Sequence, residues 1–424
     1  MRLLHVADWH LGRTTYNKSR QPDHEAVLAE IIGIAKEHKP HLILHAGDLY
    51  DTARPAYPDM QMGIDALREL GAIAPVVVIR GNHDSSALFR VFNLLLGEHS
   101  RIQFVDQPRL PSDGGILEFK GDKDERIRLA SLPFIHTNRT IEGFDDAVLW
   151  TTGYANVVAH YEDILQHGLL AAYEQKRDVL LFGAHLHVDG ASPSNSERRL
   201  TVGNDYATRL DNLPTVSYAA FGHIHKPQAL PGNTVVGRYA GSPIPLDFGE
   251  EGEQKQVVLV EARPGMPAAV TPIPLKGGRP LRRVDGTLDE IRAQAPGVGN
   301  SLCLVVVNTE EPESSLAEQV AETLPEAVLL NVQENCAARK TELISMVQGS
   351  VPDEDRDLST LFEEFLAGQG TKVATVEAVR AAFLHVMTAV DSQEEPHFDV
   401  MSNLAKLAQP KVRRAEPAAV LETA

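Results

Sequence analysis

Five short apolar runs, each followed at once by a cluster of polar residues, constrain the fold of this chain more than any other feature of its sequence. The runs cover residues 3–7, 42–46, 76–79, 179–182 and 218–221. Runs of this length predict buried β-strands, and Val27, Ile31 and Ile34 are spaced for one face of a helix between the first two. Strands alternating with helices predict a layered α/β domain. Ligands bind at the carboxyl ends of such strands, so the polar clusters lie where chemistry is expected.

The first two polar clusters contain carboxylates and an imidazole. Asp8 and His10 follow the first run, and Asp48 and Asp51 follow the second. A carboxylate and an imidazole that leave a strand end together can reach one cation, and the two oxygens of Asp48 can bridge two. Each cluster alone is weak evidence, because Asp-x-His sequences and Gly-Asp turns are common in loops.

The third cluster, residues 81–84, has the sequence Gly-Asn-His-Asp. Asn82 offers a neutral carbonyl oxygen as a metal ligand, and His83 offers a proton donor beside it. A structural interpretation stays open here, because Asn and Asp also cap helices and residues 85–96 have a helical pattern. This cluster is nevertheless more specific than the first two.

Two His-x-His pairs complete the series, His185 with His187 after the fourth run and His223 with His225 after the fifth. Lone histidines near strands are usually packing residues, but two pairs after two strands are hard to explain in that way. Imidazole, carboxylate and amide ligands without thiolate favour Mn²⁺, Fe or Zn²⁺ over a Mg²⁺ site of oxygens only. Two cations about 3.5–4 Å apart can neutralise a phosphodiester, supply a hydroxide and fix an in-line geometry. The combination predicts a two-metal phosphoesterase.

The length of 424 residues predicts more than one domain. Residues 1–275 contain the five runs and form the first predicted domain. Residues 276–340 form a second, because a Gly-, Pro- and Arg-rich stretch precedes a strand–helix–strand pattern there. Residues 341–424 form a third region, with two amphipathic helices at about 358–365 and 376–386 and a tail. From periodicity alone these helices are equally consistent with a partner-binding element and with an ordinary helical hairpin.

Composition narrows the class of protein. No apolar run is long enough to cross a bilayer, the N-terminus lacks a secretory apolar segment, and Cys303 and Cys336 form no CxxC pair, so we expect a cytoplasmic protein without membrane contact. The formal net charge of −18 argues against a broad basic surface for nucleic acid. That objection weakens if metals, a local basic cluster or a partner protein neutralise the phosphates.

Taken together, the sequences DxH, GDxxD, GNHD, H and GHxH resemble the calcineurin-like metallophosphoesterase superfamily over about the first 275 residues. Within it, DWHLGR at 8–13, GHIHKPQ at 222–228 and YAGSPIPLDF at 239–248 are similar to the SbcD family of nucleases, which is related to the Mre-type double-strand-break nucleases. The resemblance implies an α/β fold: a layered β-sandwich flanked by helices, with a small α/β capping domain and C-terminal helices.

The resemblance also implies a role for each site residue. One metal would be held by Asp8, His10, Asp48 and His225, and the other by Asp48, Asn82, His185 and His223. Asp48 would bridge the two, and His83, oriented by Asp51, would contact the scissile phosphate as a catalytic residue. The family pattern has one histidine where this chain has His185 and His187. We assign His185, because it stands nearer the strand end.

The activity implied by the resemblance is that of a Mn²⁺-dependent DNA nuclease, a double-strand exonuclease and single-strand endonuclease in double-strand-break or hairpin processing. It implies two Mn²⁺, with Fe, Zn²⁺ and Mg²⁺ as alternatives, and an SbcC-like coiled-coil ATPase partner bound by the C-terminal helices. It implies a homodimer formed through helices near residues 60–70 and 87–96, although both patterns are equally consistent with packing inside the chain. Two alternatives are a phosphatase or small-molecule phosphodiesterase of the same superfamily, which the acidic charge favours, and a non-catalytic scaffold, which the complete ligand set opposes.

Overall fold

The structure is a computed structural model that describes residues 1–97, 99–135, 154–194, 197, 207–232 and 234–339, with 362, 380 and 383. It divides into two compact units, Met1–Lys340 and Thr341–Ala424. In the second unit Phe362 and Phe383 are helical, and their rings stack with 3.9 Å between centroids. The rest of the helices predicted at 358–365 and 376–386 lies outside the described residues.

Six helices and nineteen strands lie wholly within the described residues of the first unit. The helices are α1 (Gln21–His38), α2 (Tyr57–Ile73), α3 (Ser86–Leu96), α4 (Tyr154–Leu170), α5 (Leu288–Val298) and α6 (Leu316–Thr323). The strands are β1 (Arg2–Val6), β2 (Thr14–Thr15), β3 (Lys18–Ser19), β4 (Leu42–His45), β5 (Val76–Ile79), β6 (Ile102–Val105), β7 (Ile116–Lys120), β8 (Arg126–Leu132), β9 (Asp178–His185), β10 (His187–Val188), β11 (Ala207–Thr208), β12 (Tyr218–Gly222), β13 (Gln228–Ala229), β14 (Gly237–Tyr239), β15 (Gln256–Glu261), β16 (Ala269–Pro274), β17 (Leu281–Gly286), β18 (Leu302–Thr309) and β19 (Val328–Cys336).

Two six-stranded sheets pack face to face. The first has the order β16-β15-β1-β4-β5-β6 and the second β13-β14-β12-β9-β8-β7, and the central strands of both are parallel. One buried apolar cluster joins Leu44 and Val77 of the first sheet to Leu129 and Leu181 of the second. A Cβ on Gly183 of β9 would lie 2.8 Å from Cδ1 of Ile79 in the facing sheet, so glycine gives this side chain room between the sheets. Strands buried on both faces explain the continuous apolar runs in the sequence.

Helices cover the outer faces of the sandwich. Val27 and Ile31 of α1 and Leu67 of α2 belong to the core against the first sheet, with Phe89 of α3. Val158, Tyr161 and Leu165 of α4 belong to the core against the second. The predicted layered α/β sandwich flanked by helices is therefore confirmed. No helix within the described ranges is long and apolar enough to cross a membrane.

A small α/β domain follows the sandwich. Its three parallel strands have the order β17-β18-β19, with α5 and α6 packed on them around Ile291, Val305 and Val320. The strand–helix–strand pattern predicted at 302–332 corresponds to β18, α6 and β19. Leu281 and Leu302 of this domain share a second apolar cluster with Phe248 of the sandwich domain. We call it the cap domain.

Candidate metal centre

The polar clusters meet at one edge of the two sheets. Asp8, Asp48 and Asn82 follow β1, β4 and β5 of the first sheet, while His185 ends β9 and His223 follows β12 of the second. The loops after β1 and β4 run together, because the amide of Asp8 donates to the carbonyl oxygen of Gly47 at 2.9 Å. Each sheet thus supplies part of one site.

The backbone at this edge is strained in a way that points to function. Asp8, His10, Asp48 and His223 all have positive φ, from 47° to 100°. Left-handed backbone costs a non-glycine residue about 1 kcal/mol or more, and such residues cluster at active sites. Glycine is required beside them: a Cβ on Gly222 would lie 2.1 Å from the carbonyl oxygen of Ala46.

Four of the predicted ligands surround one point. Nδ1 of His185 lies 2.8 Å from the carbonyl oxygen of Ala46, and because a carbonyl only accepts, that nitrogen carries a proton. Its Nε2 faces Oδ1 of Asn82 at 3.0 Å and Oδ2 of Asp48 at 3.3 Å. Nδ1 of His223 lies 2.9 Å from the same Asn82 oxygen. In neutral His185 the Nε2 lone pair therefore points at two oxygen acceptors, an arrangement that a cation between them would satisfy.

The other predicted ligands surround a second point. Nε2 of His10 and Nε2 of His225 face each other at 3.1 Å. Their Nδ1 atoms face carboxylates, Asp51 at 3.2 Å and Glu250 at 3.5 Å, so the protons belong on Nδ1 and the lone pairs on Nε2. Ligand atoms of Asp8, His10 and His225 lie within 4.8 Å of one another. Two facing lone pairs again fit a shared cation.

Two carboxylates carry the charge of the site. Asp8 and Asp48 are buried, and among the described residues neither pairs with lysine or arginine. Buried carboxylates need a compensating charge. Oδ2 of Asp48 lies 3.3 Å from Nε2 of His185 and 3.6 Å from Nε2 of His10, one from each group of ligands. The donor set therefore fits two cations that share Asp48.

The pKa values show how strongly these groups interact. Burial raises the pKa of Asp8 to about 7, although His185 and His225 oppose the rise. Burial would also raise the pKa of Asp48, but His185 and His10 hold it well below its usual range. In return, Asp48 and Asp8 overcome the effect of burial and raise the pKa of His185 to about 9. A cation that binds Nε2 of His185 would displace the proton from that nitrogen. Metal binding therefore depends on pH.

His83 lies at the rim of the site. Its amide donates to Oδ1 of Asp48 at 2.8 Å, and its Nδ1 donates to the main-chain carbonyl oxygen of Asp51 at 2.7 Å. The proton on Nδ1 leaves Nε2 as the nitrogen that can exchange a proton with a substrate. Asp51 therefore contacts His83 through its backbone, while its carboxylate faces His10 and Arg13.

His187 lies outside both groups of ligands. It is half-buried at the start of β10, its ring centroid is 6.4 Å from that of His223, and it belongs to none of the candidate metal-binding groups among the described residues. His185, the last residue of a strand that is buried throughout, is inside. The structure thus brings together all nine predicted site residues and separates His187 from them.

Two carboxylates near His225 were missed by the sequence reasoning. Oε1 of Glu250 faces the His225 ring, and Oε1 of Glu197 accepts from its amide at 2.9 Å. Glu250 stands two residues after the sequence YAGSPIPLDF, and a carboxylate directly after a site-associated segment is the only signal that could have pointed to it. Glu197 has no such signal.

Comparison with known proteins identifies the family of the chain. A family model described as calcineurin-like phosphoesterase matches residues 1–227. The chain is similar to the SbcD component of the nuclease SbcCD from Bacillus subtilis (strain 168), with 31% identity over 294 residues, 66% of this chain and 71% of that protein. It is similar to the SbcD component of the same nuclease from Escherichia coli (strain K12), with 30% identity over 302 residues, 69% and 73% of the two chains. A solved dimetal phosphatase from Danio rerio aligns with a TM-score of 0.37 and 10% identity over 64% of this chain and 99% of that one.

Proposed function

Because the chain belongs to the calcineurin-like phosphoesterase family and is related within it to the SbcD components of SbcCD nucleases, we propose that it is a metal-dependent phosphodiesterase that cleaves DNA. The family model and the two relatives confirm the resemblance to calcineurin-like metallophosphoesterases that the motifs predicted. The observation that best supports a binuclear centre is the convergence of ring-nitrogen lone pairs and carboxylates at two points that share Asp48. The mixed imidazole, carboxylate and amide ligand set suits Mn²⁺, Fe or Zn²⁺ better than Mg²⁺. We propose Mn²⁺, which the resemblance of the motifs implies, with Fe, Zn²⁺ and Mg²⁺ as alternatives.

The chain's own residues have distinct tasks in this reaction. When bound, the cations supply charge neutralisation for the phosphate and an acidified water molecule. His83, whose ring is fixed by the Asp51 carbonyl, either stabilises the phosphate or gives the proton on Nε2 to the leaving oxygen. Asp51 contacts the rings of both His83 and His10. It therefore orients the proposed catalytic histidine and one proposed metal ligand together.

Replacing His83 with Ser tests this assignment. We expect cleavage of double-stranded DNA with Mn²⁺ to fall by about 10²–10⁴-fold, the usual contribution of a general acid or base. Mn²⁺ occupancy should stay at the wild-type value, because His83 is not among the proposed ligands. His187→Ser is the matched control, since it removes a nearby histidine outside the site. Unchanged cleavage by His83→Ser would contradict the assigned role.

A phosphatase or small-molecule phosphodiesterase is the second candidate, and the net charge of −18 favours it. The two are separated by incubating the full chain with Mn²⁺ and either double-stranded DNA or a generic phosphomonoester. A nuclease degrades the DNA, as exonuclease on duplex ends and endonuclease on single strands. Hydrolysis of the phosphomonoester alone would reject the nuclease and leave the metal centre in place.

A homodimer is part of the same proposal. Val91, Leu94 and Leu95 are exposed on one face of α3, with Leu94 at 77% and Leu95 at 79%. An exposed apolar face of this kind marks an interaction surface. Leu94→Glu should give a monomer in analytical ultracentrifugation, whereas Met266→Glu, a change at another exposed apolar residue, should not. A monomeric wild-type chain would reject the dimer.

We further propose that the chain acts with an SbcC-like coiled-coil ATPase in double-strand-break or hairpin processing, because its relatives are named as components of SbcCD. Residues 341–424 are the proposed contact. Deleting 341–424 should abolish co-purification with such an ATPase while leaving Mn²⁺ binding unchanged. Retained co-purification would place the contact elsewhere.

A further inference from the structure

Behind His225 lies a buried carboxylate that the proposed reaction does not use. The side chain of Glu250 is fully buried, and its Oε1 lies 3.5 Å from Nδ1 of His225, on the side of the ring away from the metal-facing Nε2. A histidine that binds a metal through one nitrogen needs its other nitrogen fixed, and a carboxylate is a common way to do so. Among the proposed ligands, His225 is the one that Glu250 faces.

The other oxygen of Glu250 is held firmly. Its Oε2 accepts from Nζ of Lys255 at 2.6 Å, from the amide of Leu246 at 3.2 Å and from Oγ of Ser242 at 3.3 Å. These three contacts fix the plane of the carboxylate. Consequently Oε1 has a set direction, and that direction is towards His225.

The simpler explanation is that Glu250 only neutralises the buried Lys255. Lys255, however, has two further acceptors, Oε2 of Glu253 at 3.0 Å and the carbonyl oxygen of His225 at 3.0 Å. One carboxylate would already match its charge. The second carboxylate, Glu250, differs from Glu253 in that it also reaches the His225 ring.

The turn that carries Glu250 is also fixed by the cap domain. Phe248, in the same 3-10 turn (Phe248–Glu250), packs on Leu281 and Leu302 of the cap, and its carbonyl oxygen accepts from Arg283 at 3.1 Å. The Arg283 guanidinium lies over the Phe248 ring, 5.3 Å from its centroid. Glu250 therefore has support from both domains.

We propose that Glu250 is a positioning residue for His225, and that it sets the affinity of the one cation position to which His225 contributes. This inference rests on the proposed metal centre. Glu250 keeps the proton on Nδ1 and the ring in place, so that Nε2 points at the second point of the site, beside His10 and Asp8. The other position is formed by Asn82, His185 and His223 with Asp48, and His225 does not contribute to it.

Titration of the full chain with Mn²⁺, followed by the electron paramagnetic resonance signal of free Mn²⁺, tests the proposal without measuring activity. The wild type should bind two ions. Glu250→Gln should weaken one binding event by about 10- to 100-fold, the usual cost of changing a residue that orients a metal ligand, and leave the other within twofold. Glu253→Gln is the matched control, because it makes the same change to the other Lys255 partner and should leave both events within twofold.

A purely structural role predicts a different pattern. If Glu250 only maintained the fold, both binding events would weaken together, or neither would, and either result would overturn the proposal. Glu250→Asp keeps a negative charge for Lys255 but withdraws it from His225, so it should fold and show the same selective loss even if the Gln variant does not. A wild type that binds no Mn²⁺ would reject the metal centre and this inference with it. Two normal ions in both Glu250 variants would reject the inference alone.

Discussion

A buried cluster of three charges joins α1 to the segment that leads into the cap domain. Asp23 accepts from Nε of Arg20 at 2.7 Å and from Nε and Nη2 of Arg279, each at 2.9 Å. Arg20 is fully buried, whereas the side chain of Arg279 is 24% exposed. We therefore predict that Asp23→Ala and Arg279→Ala, which break the same ion pair, have unequal effects on the free energy of unfolding.

The magnitudes follow from what each change leaves behind. Asp23→Ala leaves Arg20 charged and buried; its remaining contacts, to Thr15 and to the carbonyl oxygens of Pro245 and Arg279, carry no full negative charge. Removing one member of a buried pair costs about 3–5 kcal/mol. Arg279→Ala leaves Asp23 paired with Arg20, so only the two part-exposed hydrogen bonds from the Arg279 side chain are lost, at about 1–2 kcal/mol in total.

Urea unfolding measures the difference. Trp9 is buried in the core that α1 joins, so its fluorescence in a Trp150→Phe background reports on this unit. The exposed pair Lys36–Glu69 supplies the control, because Lys36→Ala should cost less than about 1 kcal/mol.

The pH dependence gives a second check on the same cluster. Burial alone would raise the pKa of Asp23, but its bonds to Arg279 and Arg20 lower it. The stabilisation is therefore present above the unfolded pKa of about 4 and is lost as the pH falls through the lower folded value. The gap between wild type and Asp23→Ala should narrow only below about pH 4. An Arg279→Ala cost equal to or above that of Asp23→Ala would refute the reasoning.

Three further predictions concern the core, the cap and the metal centre. Burial lowers the pKa of His5 to about 3. As the pH falls below about 6.5, His5 therefore takes up a proton in the unfolded chain before it does so in the folded one. The unfolding free energy of the wild type should then fall about 1.4 kcal/mol per pH unit more steeply than that of His5→Gln, down to about pH 3. Phe248→Ala should cost about 3–5 kcal/mol in cap docking, seen as faster hydrogen exchange in β17 with β1 unchanged; equal exchange in both would contradict this contact. Asp48→Asn should weaken both Mn²⁺ binding events, because Asp48 faces both groups of ligands, and loss of one alone would show that it does not bridge.

The fold and the candidate site could be predicted from the sequence wherever the position of a residue relative to the nearest strand decides where it lies. Each proposed ligand lies at the end of a buried strand or within four residues of it, so its position in the chain fixes its position at the sheet edge. His185 is the clearest case, since β9 ends on it and the chain turns away before His187. The pair His223 and His225 shows the limit of this signal, because both of its residues lie in the site.

Residues that act across long sequence separations could not be predicted in this way. Glu250 meets His225 only because β12, β14 and the 3-10 turn bring the two together, and no local pattern distinguishes its carboxylate from that of Glu253. Arg20 stands at the start of α1, where a charged side chain is usually exposed. Asp23 and the backbone carbonyl oxygens of residues 245 and 279 nevertheless enclose it. In both cases a partner from another part of the chain decides the role of the side chain.

The acidic charge bears on how DNA would reach this centre. Two divalent cations add four positive charges to the formal net charge of −18 and leave −14, so they neutralise the scissile phosphate without changing the sign of the overall field. Phosphates beyond the metals therefore meet a chain that repels them on average. Cations act over a few ångströms, while binding of a long duplex needs contacts along many phosphates. The local chemistry suits a phosphate ester. A DNA substrate would also need a second, basic surface to hold it against the overall charge, and this is the contribution that the proposed ATPase partner would make.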